Sequence, residues 1–160
     1  MASHAHDTVT EHRQLPLAEI KALKDKGNML VKAGRHSEAI GVYKHAIVVF
    51  LNKKHQNDDD ADSKLTFAQC HLNMALCLLH LKTPANIIEA VICCDAAIEL
   101  LQLPDQATWR AKAYYRKGQA LELSGDLSAA VEAITSAAAA SPDDEAIRQA
   151  LAKLKEQQGQ

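Results

Sequence analysis

The chain has 160 residues and a formal net charge of −2, which fits a single domain and excludes a general attraction to nucleic acid or to an anionic membrane surface. Apolar residues make up 48% of the sequence but aromatic residues only 4%, a composition that favours helices over sheets. No apolar run approaches the roughly 20 residues that a membrane-spanning helix needs. We therefore expect a cytoplasmic, all-α, monomeric protein.

The first third of the chain predicts two helices. Residues 1–14 are polar and aperiodic, and we expect them to be a disordered tail. From Leu17 onward apolar residues recur at helical spacing, and Gly34 offers a C-terminal stop. A second helix is predicted with Ser37 as its N-cap and an end near Lys54.

The remainder of the chain predicts a loop and five more helices. The acidic stretch 57–63 is interpreted as a solvated loop, or as residues that favour the N-terminus of the next helix. Ser141 is expected to cap the last helix, with Pro142 in its first turn. The predicted helices cover approximately residues 64–81, the stretch after Asn86 to 101, and residues 106–124, 127–140 and 142–156.

The cysteines lie within apolar helical stretches and show no CxxC spacing. We interpret them as buried, reduced thiols rather than as redox or metal-binding groups. We expect no cofactor and no metal. The four positions are Cys70, Cys77, Cys93 and Cys94.

One spacing of small and larger residues occurs in three places. The separations are 12, 4 and 3 residues, with three extra residues at the Pro84 turn in the middle copy. Small residues at such positions let two antiparallel helices approach closely, while the larger residue fills the gap to the next pair. The three sets are Gly27, Ala39, Tyr43 and Ala46; Ala75, Ala90, Cys94 and Ala97; and Gly118, Ala130, Ile134 and Ala137.

This pattern resembles a tetratricopeptide repeat domain over about residues 17–156. The resemblance implies a right-handed superhelix within residues 15–157, whose first helices line a concave groove. It also implies three repeats and a C-terminal capping helix. Their approximate ranges are 20–53, 68–104 and 111–144 for the repeats and 142–156 for the cap. The long connection after the first repeat resembles that of large immunophilins and small co-chaperones.

One subset of this family carries a two-carboxylate clamp in its groove, and this sequence has a matching residue at each position. The clamp has Lys and Asn four residues apart in the first groove helix, Asn in the second, and Lys and Arg four apart in the third. A C-terminal Asp presents two carboxylates, to which ammonium and guanidinium groups donate charge-assisted bonds and Asn amides donate neutral ones. The matching residues are Lys24, Asn28, Asn73, Lys112 and Arg116.

Two apolar residues extend this hypothesis. Val31 and Leu76 follow Asn28 and Asn73 by three residues. The resemblance implies that they floor a pocket for an apolar side chain of the peptide. The alternative is that both pack in the core.

The resemblance implies a non-enzymatic adaptor, a co-chaperone that binds the C-terminal Glu-Glu-Val-Asp tail of Hsp90, Hsp70 or both. Two alternatives stay open. The first is a general repeat scaffold that binds another peptide or helix in its groove. The second is a tetratricopeptide fragment of a larger immunophilin, against which Met1 and the polar end 157–160 argue.

Overall fold

A computed structural model describes residues 5–53 and 60–160, with side chains for residues 17–52 and 60–160. Within these residues the chain forms seven α-helices and one 3-10 turn, and no strand, so the all-α prediction is confirmed. The helices are α1 (Ala5–Lys32), α2 (His36–Lys53), α3 (Ala61–Leu81), α4 (Pro84–Leu100), α5 (Ala107–Ser124), α6 (Leu127–Ala140) and α7 (Glu145–Gln158), and the 3-10 turn is Pro104–Gln106.

The helices pack as successive antiparallel pairs. Helix α1 packs on α2, α3 on α4, and α5 on α6, while α7 packs on α6. Helix α3 also contacts both α1 and α5, so these three helices form one continuous layer. Because each is separated from the next by one antiparallel helix, all three run in the same direction.

The predicted small-and-large spacing corresponds to the closest approaches between paired helices. The ring of Tyr43 is fully buried and lies so close to Gly27 that a Cβ on this glycine would overlap it. Ile134 occupies the same position against Gly118 in the α5–α6 pair. In the α3–α4 pair the corresponding residues are small and fully buried. Glycine is therefore required where a large side chain crosses the facing helix.

The N-terminal boundary of α1 differs from the prediction. The helix begins at Ala5, whereas the sequence pattern placed its start at Leu17 and assigned residues 1–14 to a disordered tail. Residues 5–15 contain neither glycine nor proline, so their composition does not interrupt a helix even though they lack an apolar pattern. Residues 1–4 lie outside the described part of the chain.

Two predicted N-caps are wrong. Helix α2 begins at His36, and the backbone N–H of Ala39 donates to the carbonyl of Arg35, so Ser37 lies inside the first turn. Helix α7 begins at Glu145, because the carboxylate of Asp144 accepts a hydrogen bond of 3.2 Å from the backbone N–H of Ile147. A carboxylate is as good an N-cap as a serine hydroxyl, and here it excludes Pro142 from the helix.

The acidic stretch contributes a cap to α3. The Asp60 carboxylate accepts bonds from both the backbone N–H and the hydroxyl of Ser63. This agrees with the interpretation that acidic residues favour the N-terminus of this helix. Residues 57–59 of the stretch, and the predicted helix end at Lys54, lie outside the described residues.

The four cysteines are all buried and free, as the sequence predicted. Desolvation by burial raises the pKa of each thiol, to about 11 for Cys77 and about 12 for the other three.

No helix in the described part of the chain is long and apolar enough to cross a membrane.

Candidate functional site

The five residues assigned to the clamp lie on α1, α3 and α5, the helices of one layer, and two of them are in direct contact. Asn73 donates from Nδ2 to the Oδ1 of Asn28 at 2.8 Å. The same oxygen accepts a hydrogen bond of 2.7 Å from the hydroxyl of Tyr43. A carbonyl oxygen has two lone pairs, so the Asn28 oxygen is fully used. Among the described residues, the side-chain N–H groups of Asn28 and the carbonyl oxygen of Asn73 take no part in these two bonds.

Tyr43 stabilises this pair of amides through its hydroxyl. Its side chain is fully buried on α2, and desolvation raises the pKa of its hydroxyl. The hydroxyl therefore stays protonated at neutral pH and acts as a donor to Asn28. Sequence reasoning singled out Tyr43 only as a packing residue and missed this second role.

Lys24 lies one turn before Asn28 on α1 and is half-buried. Its Nζ donates a hydrogen bond of 2.7 Å to the Oε1 of Gln69 on α3. Sequence reasoning did not single out Gln69. The signal was present in the spacing, because Gln69 precedes Asn73 by four residues, as Lys24 precedes Asn28 and Lys112 precedes Arg116.

Arg116 joins α5 to α3. Its Nη1 donates a hydrogen bond of 2.6 Å to the backbone carbonyl of Leu72, the residue before Asn73. Burial lowers the pKa of the guanidinium, but arginine remains protonated in proteins. A guanidinium carries five N–H donors, and the carbonyl of Leu72 is the acceptor that the described residues provide for one of them.

Lys112 lies one turn before Arg116 and is exposed, and among the described residues it forms no hydrogen bond with the other four predicted residues. Its Nζ is 4.4 Å from the ring centroid of Trp109, a cation–π contact within α5. Trp109 itself packs on the apolar cluster that contains Leu72 and Ala113. This aromatic ring was also missed, and it holds the ammonium at the edge of the layer.

The three cations of the site have no carboxylate partner among the described residues, a property that they share with Lys26 and Arg110 on the same helices. No ion pair between described residues includes Lys24, Lys112 or Arg116. Nearby on the same helices, Lys21 pairs with Asp62 at 2.7 Å and Lys117 with Asp95 at 2.6 Å. Within the described part of the chain, Lys21 and Lys117 are therefore paired with carboxylates, whereas the three site cations are not.

The two predicted pocket residues are both half-buried. Val31 packs against the cluster that contains Tyr43 and Ala75. Part of its surface therefore belongs to the core, as the alternative interpretation expected. Leu76 lies on α3 one turn beyond Asn73. Their role in a peptide pocket stays a prediction.

A family model for the tetratricopeptide repeat matches residues 111–154, which cover most of α5, all of α6 and most of α7. A curated relative, the inactive peptidyl-prolyl cis-trans isomerase shutdown of Bombyx mori, is 26% identical over 156 residues. The match covers 91% of this chain but only 34% of the relative, so the chain spans about a third of that protein's length.

Solved structures share the fold. The C-terminal tetratricopeptide domain of a Plasmodium falciparum putative FK506-binding protein is 25% identical, with a TM-score of 0.73 and coverage of 91% of this chain and 94% of that one. The first such domain of Spaghetti (RPAP3), bound to the Hsp90 peptide SRMEEVD, is 22% identical, with a TM-score of 0.70 and coverage of 89% and 98%. The second domain of human RPAP3, in complex with the Hsp70 peptide SGPTIEEVD, is 24% identical, with a TM-score of 0.60 and coverage of 88% and 98%.

The matched repeat, the packing of small residues between paired helices and the shared fold agree with one another. The chain folds as a tetratricopeptide repeat domain.

Proposed function

We propose that the layer formed by α1, α3 and α5 binds the C-terminal tail of an Hsp90- or Hsp70-type chaperone through the carboxylates of its last residue. The chain would then act as a non-enzymatic adaptor, a co-chaperone that is monomeric and cytoplasmic. The observation that carries this proposal is that Lys24, Lys112 and Arg116 share one helix layer with the Asn28–Asn73 pair and have no carboxylate partner among the described residues.

The donors of the site suit two carboxylates. Lys24 and Lys112 present compact ammonium charges, while Arg116 offers a planar fork that binds a carboxylate through two parallel N–H bonds. Asn28 adds neutral N–H donors, and the carbonyl oxygen of Asn73 can accept a peptide N–H. A chain terminus supplies two carboxylates on one residue only when that residue is Asp or Glu. The site therefore favours an acidic C-terminal residue over an internal acidic one.

The structural neighbours support the kind of partner. One was solved with the Hsp90 peptide SRMEEVD and another with the Hsp70 peptide SGPTIEEVD, and both peptides end in Asp. Which of the two chaperones this chain prefers depends on contacts upstream of the last two peptide residues.

Isothermal calorimetry with both peptides tests the proposal. Each peptide is titrated as the free acid and as the C-terminal amide, which removes one carboxylate and keeps the sequence. We expect a dissociation constant on the order of micromolar, about −8 kcal/mol, for at least one free acid. The amide should bind at least tenfold more weakly, and affinity should fall as salt rises. Equal affinity for acid and amide, or no binding of either acid, would reject the clamp.

A second candidate is the tetratricopeptide part of a larger immunophilin-like protein. The match to an inactive isomerase and to the C-terminal domain of an FK506-binding protein favours it. This candidate keeps the same groove and changes only the protein around it. Sequencing the full-length transcript separates the two, since an isomerase-type domain in the same reading frame would identify the larger protein.

A general scaffold that binds an internal peptide or a helix is separated by the same titrations. A partner bound through its middle does not need a free C-terminus. Extending SRMEEVD by two residues after its Asp should abolish binding in a carboxylate clamp and leave it intact in a general scaffold.

A further inference from the structure

Gln69 forms, with Lys24, one of two successive polar contacts between α1 and α3. The Lys24–Gln69 hydrogen bond is 2.7 Å long and the Asn73–Asn28 bond is 2.8 Å long. Both bonds join residues 45 apart in sequence, so the register between the two helices is the same at each. Because the helices run in the same direction, the first contact lies one turn before the second.

The same register extends to α5. Arg116 reaches the carbonyl of Leu72, and so lies level with Asn73. Lys112 lies one turn before Arg116, and Gln69 lies one turn before Asn73. The layer therefore carries two levels of polar side chains. One level consists of Asn28, Asn73 and Arg116. In the other level, one turn earlier along the helices, Gln69 lies between Lys24 and Lys112.

The chemistry of the contact fixes the orientation of the amide. A lysine ammonium can only donate, so Gln69 presents its Oε1 to Lys24. The side-chain oxygen is neutral, and it holds the ammonium without compensating its charge. A carboxylate at this position would hold the ammonium as well, but it would neutralise the charge that a bound carboxylate needs.

We propose that Gln69 is a positioning residue of the tail-binding site, which holds the Lys24 ammonium toward the groove while leaving its charge uncompensated. The inference rests on the proposed function of the groove. It implies two consequences. Loss of the amide should weaken binding through Lys24 alone, and replacement of the amide by a carboxylate should weaken binding more.

The first experiment is a double-mutant cycle on the full chain, with the free-acid peptide SRMEEVD as the probe. Gln69→Leu removes the hydrogen bond at similar size, and we expect about three- to tenfold weaker binding, the range for a typical hydrogen bond, because the Lys24 ammonium itself is retained. In the Lys24→Met background the same change should cost less than twofold. Gln69→Glu should weaken binding more than Gln69→Leu and flatten its salt dependence.

The matched control is Gln119→Leu on α5, because this half-buried glutamine lies near Lys153 and Leu154, on the side that faces α7. It should bind like the parent. Circular dichroism establishes that each variant is folded. Parent-like affinity of Gln69→Leu, or an equal loss in the Lys24→Met background, would overturn the inference.

A second measurement does not depend on the peptide. Reductive methylation followed by mass spectrometry reports how accessible each lysine amine is. Lys24 should be methylated more slowly than the exposed Lys26 in the parent and faster in Gln69→Leu, with Lys26 unchanged. Unchanged methylation of Lys24 would overturn the positioning role, even if the parent failed to bind either tail. If the parent binds neither tail but Lys24 is methylated faster in Gln69→Leu, the proposed function is rejected and the positioning of Lys24 by Gln69 stands.

Discussion

Asn73 donates a hydrogen bond of 2.8 Å to the same oxygen of Asn28 that accepts from the Tyr43 hydroxyl, so one carbonyl oxygen links α1, α2 and α3. A residue with a proposed binding role is thereby also part of the fold. The stability of Asn28 variants and their affinity for the tail peptide must therefore be measured separately.

Asn28→Ala should destabilise the fold by about 1–3 kcal/mol, because it leaves the buried Tyr43 hydroxyl and an N–H of Asn73 without their acceptor. Tyr43→Phe added to Asn28→Ala removes the orphaned hydroxyl and should recover part of that loss. Urea denaturation of the parent, both single variants and the double variant measures this. A double variant that is no more stable than Asn28→Ala would contradict the role given to the hydroxyl.

Gly27 and Gly41 give a matched pair of glycine-to-alanine substitutions within helices. A Cβ at Gly27 would overlap the buried Tyr43 ring, so Gly27→Ala should lower the free energy of unfolding by about 1–3 kcal/mol. Nothing lies within 4 Å of a Cβ at Gly41, and Gly41→Ala should stabilise α2 by about 0.5–1 kcal/mol.

Thermal melting of the two variants checks both signs. Gly27→Ala should also weaken tail binding, because a displaced Tyr43 ring takes its hydroxyl away from Asn28. If Gly27→Ala melted at or above the parent temperature, the close approach of α1 and α2 would be wrong.

His71 should make the protein less stable in mild acid. Burial lowers the pKa of its imidazole to about 4, whereas an unfolded histidine titrates near 6.5. Between these values the unfolded state binds a proton that the folded state does not. The free energy of unfolding therefore falls as the pH drops from about 6.5 to about 4, by up to about 3 kcal/mol, and is unaffected above this range.

His71→Phe tests the assignment, since His71 packs edge-on against Phe67 and a phenyl ring fits the same apolar contact. Urea titrations at pH 7 and pH 5 should show a smaller loss of stability for this variant than for the parent. His45→Gln, at an exposed position of α2, should lose as much as the parent. Identical pH dependence in parent and His71→Phe would place the acid sensitivity elsewhere.

The cysteines should be inert in the folded protein. All four are buried, and their raised pKa values keep them protonated at pH 8, where the thiolate is the reactive species. Ellman's reagent should label none of them quickly in buffer and all four in urea. Rapid labelling of a single thiol in the native protein would show an accessible cysteine that the structure does not contain.

The sequence predicted the helices best where a local signal ends them. Gly125 adopts a positive φ of 87° directly after α5, and the predicted end of that helix at Ser124 is confirmed. The start of α7 was wrong because Ser141 and Asp144 are both good caps, and local sequence does not decide between them. The start of α1 was wrong because a helix can continue through residues without an apolar pattern.

The site residues also divide into those that the sequence indicated and those that it did not. The resemblance to clamp-type tetratricopeptide domains implied the five clamp residues, and these residues lie on α1, α3 and α5. Contacts between helices could not be predicted this way. The Lys24–Gln69 bond joins residues 45 apart and the Arg116–Leu72 bond joins residues 44 apart, and both depend on the register between packed helices.

Arg116 gives the sharpest test of the binding site. Among the described residues its guanidinium donates to one acceptor, the Leu72 carbonyl, and forms no ion pair with a carboxylate. Hydrogen bonds between charged groups are worth about 1.5–3 kcal/mol, so Arg116→Ala should weaken tail binding roughly ten- to a hundredfold. Because the bond to Leu72 is lost as well, this variant should also be somewhat less stable than the parent. Arg116→Lys keeps the charge but not the planar fork, and it should bind with intermediate affinity.

Lys112 and Lys117 supply the comparison on the same helix. Lys112→Ala should weaken binding much as Arg116→Ala does, because its exposed ammonium contacts the Trp109 ring and forms no ion pair with another described residue. Lys117→Ala should bind like the parent, since the Lys117 ammonium is already paired with Asp95 at 2.6 Å. Calorimetric titration of the variants with free-acid SRMEEVD and SGPTIEEVD, with circular dichroism to confirm folding, makes the measurement. If Lys117→Ala loses as much affinity as Lys112→Ala, general positive charge binds the tail and the assignment of individual cations is wrong.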